Sequence, residues 1–253
     1  MRTLKDMSVL ITGGGSGIGE GAAKHFASKG AKVTIAGRRE EPLQKVKKEI
    51  GELCHLVVGD VTQTSDRERM VAEAVTHGDG LETLISNAGN IYRCEVEEFN
   101  EEELLKIFHS NVVGGMMLVS ECHEFLKETK GCVIFVGSVH TQRAFPNASP
   151  YAATKGALES LTGVLAAELG PQGIRVGCVR PGAVITEINV RAGLATQAEA
   201  AVRLEGMSNL HALGRIGTVE DIAEAFEYLA CSDWVTGNVV TVDGGLGLGV
   251  TNE

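Results

Sequence analysis

Positive charge is the scarce commodity in this chain: 23 lysines and arginines stand against 33 aspartates and glutamates, for a formal net charge of −10 over 253 residues. With a pI near 5.3, wholesale nucleic-acid binding is not expected, although a local basic patch for phosphate is still allowed. No apolar run approaches the roughly 18 residues of a membrane span; runs such as Cys132–Val136 are strand-sized. The segment Met1–Met7 lacks the apolar stretch of a secretory signal, so the expected location is cytoplasmic. The six cysteines include no C-x-x-C pair and no histidine at zinc-finger spacing, which points to free or buried thiols and to no metal site. Linkers and low-complexity stretches are also missing, so residues 1–253 are read as one domain.

Glycine is what the chain has in excess, at 32 residues, and this calls for tight turns and close backbone approaches. Strand-like runs recur at 8–11, 32–36, 53–58, 81–85, 131–137, 174–179 and 238–242, with helical patterns between them. That alternation predicts an α/β fold with a doubly wound parallel sheet of Rossmann type. Helix starts are marked by Ser65-x-x-Glu68, Asn100-x-x-Glu103 and Thr218-x-x-Asp221, each read as a cap. Ser149 is read as the cap of a further helix, with Pro150 at its first position. The stretch 187–215 is long and irregular and is expected to form a lid over a site.

Chemistry-bearing residues fall just after strands, where ligands bind in such sheets. The first strand runs into Thr12-Gly13-Gly-Gly15-Ser16-Gly17-Ile18-Gly19 and then a helical pattern, the setting in which a glycine turn approaches a pyrophosphate. The second runs into Gly37-Arg38-Arg39, with no acidic residue there to hold ribose hydroxyls. A guanidinium suits a 2′-phosphate instead. Asp60 and Val61 follow the third strand, Asn87-Ala88-Gly89 the fourth, Ser138 the fifth, and Pro181-Gly182 with Val184 and Thr186 the sixth. Tyr151 and Lys155 sit four apart on one helix face. An ammonium near a phenol, with the positive end of the helix, is expected to favour the phenolate and let the pair exchange a proton with an alcohol or carbonyl.

Taken together, Thr12-Gly13-x-x-x-Gly17-x-Gly19, Asn87-Ala88-Gly89, Asn111, Ser138, Tyr151-x-x-x-Lys155 and Pro181-Gly182 with Thr186 closely resemble the short-chain dehydrogenase/reductase family from Thr12 to Gly245. The resemblance implies hydride transfer with a nicotinamide cofactor and a homotetramer. It implies that Tyr151 is the general base or acid and that Ser138 bonds the same substrate oxygen. Lys155 would hold the nicotinamide ribose and lower the Tyr151 pKa, and Asn111 would position a water linking Lys155 to solvent. Thr186 and the backbone near Val184 would fix the carboxamide, Asp60 and Val61 would border the adenine, and Asn87 would lie along the cofactor.

Arg38, with Arg39, is expected to select NADP, with NAD as the alternative. The small-molecule substrate is expected to meet His140, Asn147 and Glu187 beside Ser138 and Tyr151, with Gln142, Phe145 and Asn189 nearby. These loops resemble those of relatives acting on sugars, polyols or small cyclic alcohols. Two other readings stay open. One is a reductase of carrier-bound acyl thioesters, which would need a basic docking surface built from Arg143, Arg180, Arg191, Arg203 and Arg215. The other is a non-catalytic cofactor sensor.

Overall fold

In the computed structural model, residues 2–250 are described except 187, 189–192, 194, 195, 197, 200, 201, 203 and 204. Seven parallel strands form one sheet: β1 (Ser8–Thr12), β2 (Lys32–Gly37), β3 (Cys54–Val58), β4 (Thr83–Ser86), β5 (Cys132–Val136), β6 (Arg175–Pro181) and β7 (Asn238–Val242). Their order is β3-β2-β1-β4-β5-β6-β7. The chain reverses direction across the sheet between β1 and β4, and that switch opens a crevice beyond the strand ends.

Alternation along the strands builds two cores. Val9 and Ile11 of β1, with Ile35 of β2 and Ile134 of β5, face α1 (Gly17–Ser28), α2 (Glu40–Ile50) and α7 (Val219–Cys231) through Phe26, Leu43 and Phe226. Leu10, Leu84 and Phe135 point the other way. They meet α3 (Thr64–Gly78), α5 (Gly114–Thr129) and α6 (Ser149–Leu169) through Met70, Leu118 and Leu158. Burial on both faces is why these strands read as continuous apolar runs.

Helix starts agree with expectation in two places of four. Asn100 caps α4 (Glu101–Phe108) by accepting from the Glu103 amide, and Thr218 and Asp221 form a reciprocal capping box on α7. The Ser65-x-x-Glu68 box does not form, because α3 starts at Thr64 behind Gln63, and Gln63 makes no side-chain cap. Its first turn is instead tied down by Asp66, which accepts from the Asp60 amide at 2.8 Å. Ser149 is not a cap either; α6 already includes it, and Ala148 precedes the helix. The expected lid at 187–215 lies partly outside the described residues; its described C-terminal part includes a short 3-10 turn at Ser208–Leu210.

A buried arginine closes the far end of the sheet. Arg175, at the start of β6, donates to the carbonyls of Leu229, of Ala230 at 2.8 Å and of Ser232 at 3.0 Å, at the C-terminal end of α7. A cation here satisfies carbonyls that the helix cannot, and it sits at the negative end of the helix dipole. Arg175→Met should therefore lower the unfolding free energy by about 2–4 kcal/mol in urea denaturation, since it strands several buried acceptors. A loss below about 0.5 kcal/mol would mean that water takes over those carbonyls.

Candidate active site

The turn after β1 is shaped by Thr12 and Asn87. The Thr12 hydroxyl accepts from the amides of Asn87 at 3.1 Å and Ala88 at 3.0 Å. In return the Asn87 side-chain amide donates to the Thr12 carbonyl at 2.8 Å and the Gly13 carbonyl at 3.3 Å. Two strand ends are thus laced together, which leaves no room for a side chain in the turn. A Cβ on Gly13, where φ is +68°, would lie 2.8 Å from the Asn87 amide nitrogen, and one on Gly19 would lie 2.6 Å from it. Asn87 therefore buttresses the glycine turn as well as bordering the cavity.

That cavity, of about 1300 Å³, runs along the C-terminal edge of the sheet. Gly13, Gly15, Ser16, Gly17 and Ile18 line one stretch, and Arg38, Arg39, Asp60 and Val61 another. Asn87, Ala88 and Gly89 follow, and Ser138, His140, Tyr151, Lys155, Pro181, Gly182, Val184 and Thr186 complete it. Nearly every expected site residue is thereby brought together. Gly19 lies beneath the turn rather than on the cavity wall. Arg38 is exposed, with Nη1 3.8 Å from an Asp60 oxygen and Nη2 donating to the Asn90 side chain at 3.4 Å. Asn147 is not in the cavity wall. It is exposed, with a left-handed φ of 64°, and its carbonyl accepts from the Cys94 amide at 3.1 Å. Glu187 and Asn189 lie outside the described residues.

Asn111 sits in a wide π turn, His109–Val113, between α4 and α5. Its side chain is wholly engaged. The amide nitrogen donates to the Asn90 carbonyl at 2.9 Å and the Thr154 hydroxyl at 3.1 Å, and the oxygen accepts from the Asn90 amide at 2.8 Å and Ser110 at 3.0 Å. Both of its N–H donors are spent on protein, so the side-chain amide clamps the loop after β4 to α6. Gly114 and Gly115, at the start of α5, allow close packing. A Cβ on either would press to 2.9 Å against the Val61 carbonyl or 2.8 Å against the Ser86 hydroxyl.

Tyr151 and Lys155 are both buried. Burial pushes the Tyr151 phenol above its ordinary pKa, while a hydrogen bond with Ser138 and the charge of Arg93 pull it back. The expected influence of Lys155 on the phenol is not seen. Its Nζ donates to the Val136 carbonyl at 2.7 Å and lies 5.5 Å from the Tyr151 ring centre. Burial is also what lowers Lys155, to about 8. Ser138, at the end of β5, is met by its neighbour His140: the ring Nδ1 is 3.0 Å from the Ser138 hydroxyl, and the His140 amide donates to it at 3.3 Å. Arg93 was not anticipated. It reaches the same corner from the loop after β4, with Nη2 3.1 Å from His140 Nε2. Only the rule that all post-strand loops share one edge could have pointed to it.

Comparison with known proteins identifies the family. A family model described as Enoyl-(Acyl carrier protein) reductase matches residues 13–247. The chain belongs to the short-chain dehydrogenase/reductase family. It is 34% identical to a glucose 1-dehydrogenase of Gluconobacter oxydans, over 95% of this chain and 91% of that one. A short-chain dehydrogenase/reductase of unknown function from Caenorhabditis elegans, solved with cofactor, superposes with a TM-score of 0.91 at 28% identity, covering 98% of this chain and 97% of its own. A 3-ketoacyl-(acyl-carrier-protein) reductase from Brucella melitensis, solved with NADH, superposes at 0.88 with 32% identity, covering 97% and 100%. As a family member the protein is an oxidoreductase acting on CH–OH groups.

Lys155 makes the stability of the ligand-free protein depend on pH. Its folded pKa, about 8, lies below the ordinary lysine value of 10.5. The unfolded chain therefore binds the extra proton between those values, and stability from this group rises with pH across that window. Measured against Lys155→Met, wild type should gain about 1–3 kcal/mol on going from pH 7 to pH 10. A difference that stays flat over that range would place the ammonium in a solvated environment.

Proposed function

We propose that this protein transfers a hydride between a nicotinamide dinucleotide and a secondary alcohol or ketone, with Tyr151 as general acid and base. The observation carrying this reading is the meeting of Ser138, Tyr151 and Lys155 in one buried corner of the cavity that begins at the glycine turn. The residues fit such a cofactor. A glycine turn opens α1 towards the cavity, which suits a pyrophosphate at a helix N-terminus. The nicotinamide, when bound, supplies or takes up the hydride. Tyr151 delivers a proton to the carbonyl oxygen in reduction and removes it from the alcohol in oxidation. Ser138 donates a hydrogen bond to the same oxygen and stabilises the charge that develops on it. Lys155 holds the ribose.

NADP is the preferred cofactor in this reading, with NAD as the alternative. Support comes from the end of β2, where Arg38 and Arg39 line the cavity and the residue after Gly37 is a guanidinium and not a carboxylate. Arg38→Ala should weaken NADPH binding tenfold or more, as expected for losing a charge-assisted contact of about 1.5–3 kcal/mol, and leave NADH within about twofold. Fluorescence titration with both nucleotides checks this. Equal losses, or none, would remove Arg38 as the phosphate reader.

For the substrate we favour a sugar, polyol or small cyclic alcohol. The similarity to a glucose 1-dehydrogenase supports it, as does a cavity wall that mixes the polar Arg93 and His140 with the apolar Phe145, Met207 and Leu246. The rival, a 3-oxoacyl-thioester reductase, draws on the Brucella relative but needs a basic surface to dock an acidic carrier. Three of the five candidate arginines are already engaged. Arg143 donates to the Leu246 carbonyl, Arg180 to Glu159, and Arg215 to both oxygens of Asp221. Arg191 and Arg203 lie outside the described residues. A homotetramer is supported by the apolar side chains of Leu105, Val113, Met116, Met117 and Val164, which α4, the π turn, α5 and α6 leave exposed.

Tyr151→Phe tests the core of the proposal. Turnover with NADPH in a screen of sugars, cyclic ketones and acyl thioesters should fall at least a thousandfold, roughly the upper range for a lost acid/base group. Nucleotide affinity should hold within about twofold. Activity surviving within a few-fold would assign proton transfer to another residue.

A further inference from the structure

Ser138 has more directed surroundings than a catalytic hydroxyl needs. Its oxygen receives the His140 backbone amide at 3.3 Å and faces His140 Nδ1 at 3.0 Å. The other ring nitrogen, Nε2, faces Arg93 Nη2 at 3.1 Å. A guanidinium carries five N–H donors and no acceptor. The Arg93 contact is therefore a hydrogen bond only if Nε2 presents its lone pair. A neutral imidazole with a bare Nε2 has its proton on Nδ1, and that proton points at Ser138.

We propose that Arg93, acting through the tautomer of His140, makes Ser138 a one-way hydrogen-bond donor to the reacting oxygen. Both lone pairs of the Ser138 hydroxyl are filled, one by the His140 amide and one by Nδ1–H. Its single proton must then turn away from His140, towards the phenol of Tyr151, whose pKa Ser138 pulls down. A hydroxyl that can rotate freely would as readily accept the Tyr151 proton, and would then compete with substrate for it. Here that option is closed. The phenol proton is left for the substrate oxygen, and the serine proton is aimed at the same place.

The ring that transmits this direction is held from both sides. His140 lies 4.6 Å from the Phe145 ring centre and 5.2 Å from that of Tyr151, almost perpendicular to the latter at 88°. Arg93 and His140 are positioning residues, since neither is required to touch the reacting atoms. The inference rests on the proposed roles of Ser138 and Tyr151, but it makes a claim about the tautomer that can be read without turnover.

The test is nitrogen-15 NMR of the histidine-labelled protein at neutral pH, with His140 assigned by its loss in His140→Asn. Wild type should show His140 neutral and protonated on Nδ1. Arg93→Lys, which still only donates, should keep that form. Arg93→Met should move the proton to Nε2 or leave the ring cationic, and kcat for the best carbonyl of the screen should drop about tenfold or more. KM for NADPH should change little, and Arg93→Lys should recover most of the loss. An Nε2–H or cationic ring in wild type, or a tautomer unchanged in Arg93→Met, would overturn the proposal. Activity persisting in Tyr151→Phe would instead remove the reading on which it stands, whatever the tautomer.

Discussion

A cation kept out of water at the edge of a parallel sheet is the constraint around which this structure is arranged. Lys155 is 5% exposed and has one protein acceptor among the described hydrogen bonds, the Val136 carbonyl at the end of β5. That acceptor is available because β5 ends there and turns into Gly137 and Ser138. The helix carrying Lys155 must therefore pack with its first turns over the β5 terminus, and this brings Tyr151 to Ser138 without further adjustment. Desolvation of an ammonium is costly, and the scaffold carries that cost through the two cores that clamp the sheet on either face.

Other polar links serve the same corner. Glu159, one turn beyond Lys155 on α6, accepts from Thr141 at 2.8 Å and forms a two-pronged pair with Arg180 of β6 at 2.8 Å and 2.6 Å. The turn that follows Ser138 is thereby tied to both α6 and β6. On the opposite side, the π turn around Asn111 fastens the loop after β4. A wide turn inside a helix is an irregularity often found at functional sites, and here it directs one amide group at two different elements.

Much of this was readable before any coordinates. The strand runs, the glycine turn and the post-strand placement of Asn87, Ser138 and Thr186 follow from periodicity and from the rule for ligand sites in parallel sheets. The caps at Asn100 and Thr218 were legible because side chain and spacing agree. The same spacing failed at Ser65, where the helix begins one residue earlier, since a cap depends on backbone angles that a four-residue pattern does not fix. Asn147 has the polarity of a substrate contact, but its turn faces solvent. Arg93 was invisible for the opposite reason: it belongs to no local pattern and becomes meaningful only when the loop after β4 is folded against the loop after β5. The balance of influences on Tyr151 could not be read from spacing either, because burial outweighs the partners that the motif suggests.

The mutual lacing of Thr12 and Asn87 has a thermodynamic consequence. The glycine turn is held by bonds between protein groups alone, so its shape does not wait for a ligand. An anion arriving there meets amides already oriented, and little conformational freedom remains to be surrendered on association. The pocket around His140 is different in kind, since it is assembled from side chains of several separate loops. In the proposed reading, drift in that wall would alter which alcohol is accepted and leave the nucleotide half untouched, so the two specificities would be free to diverge independently.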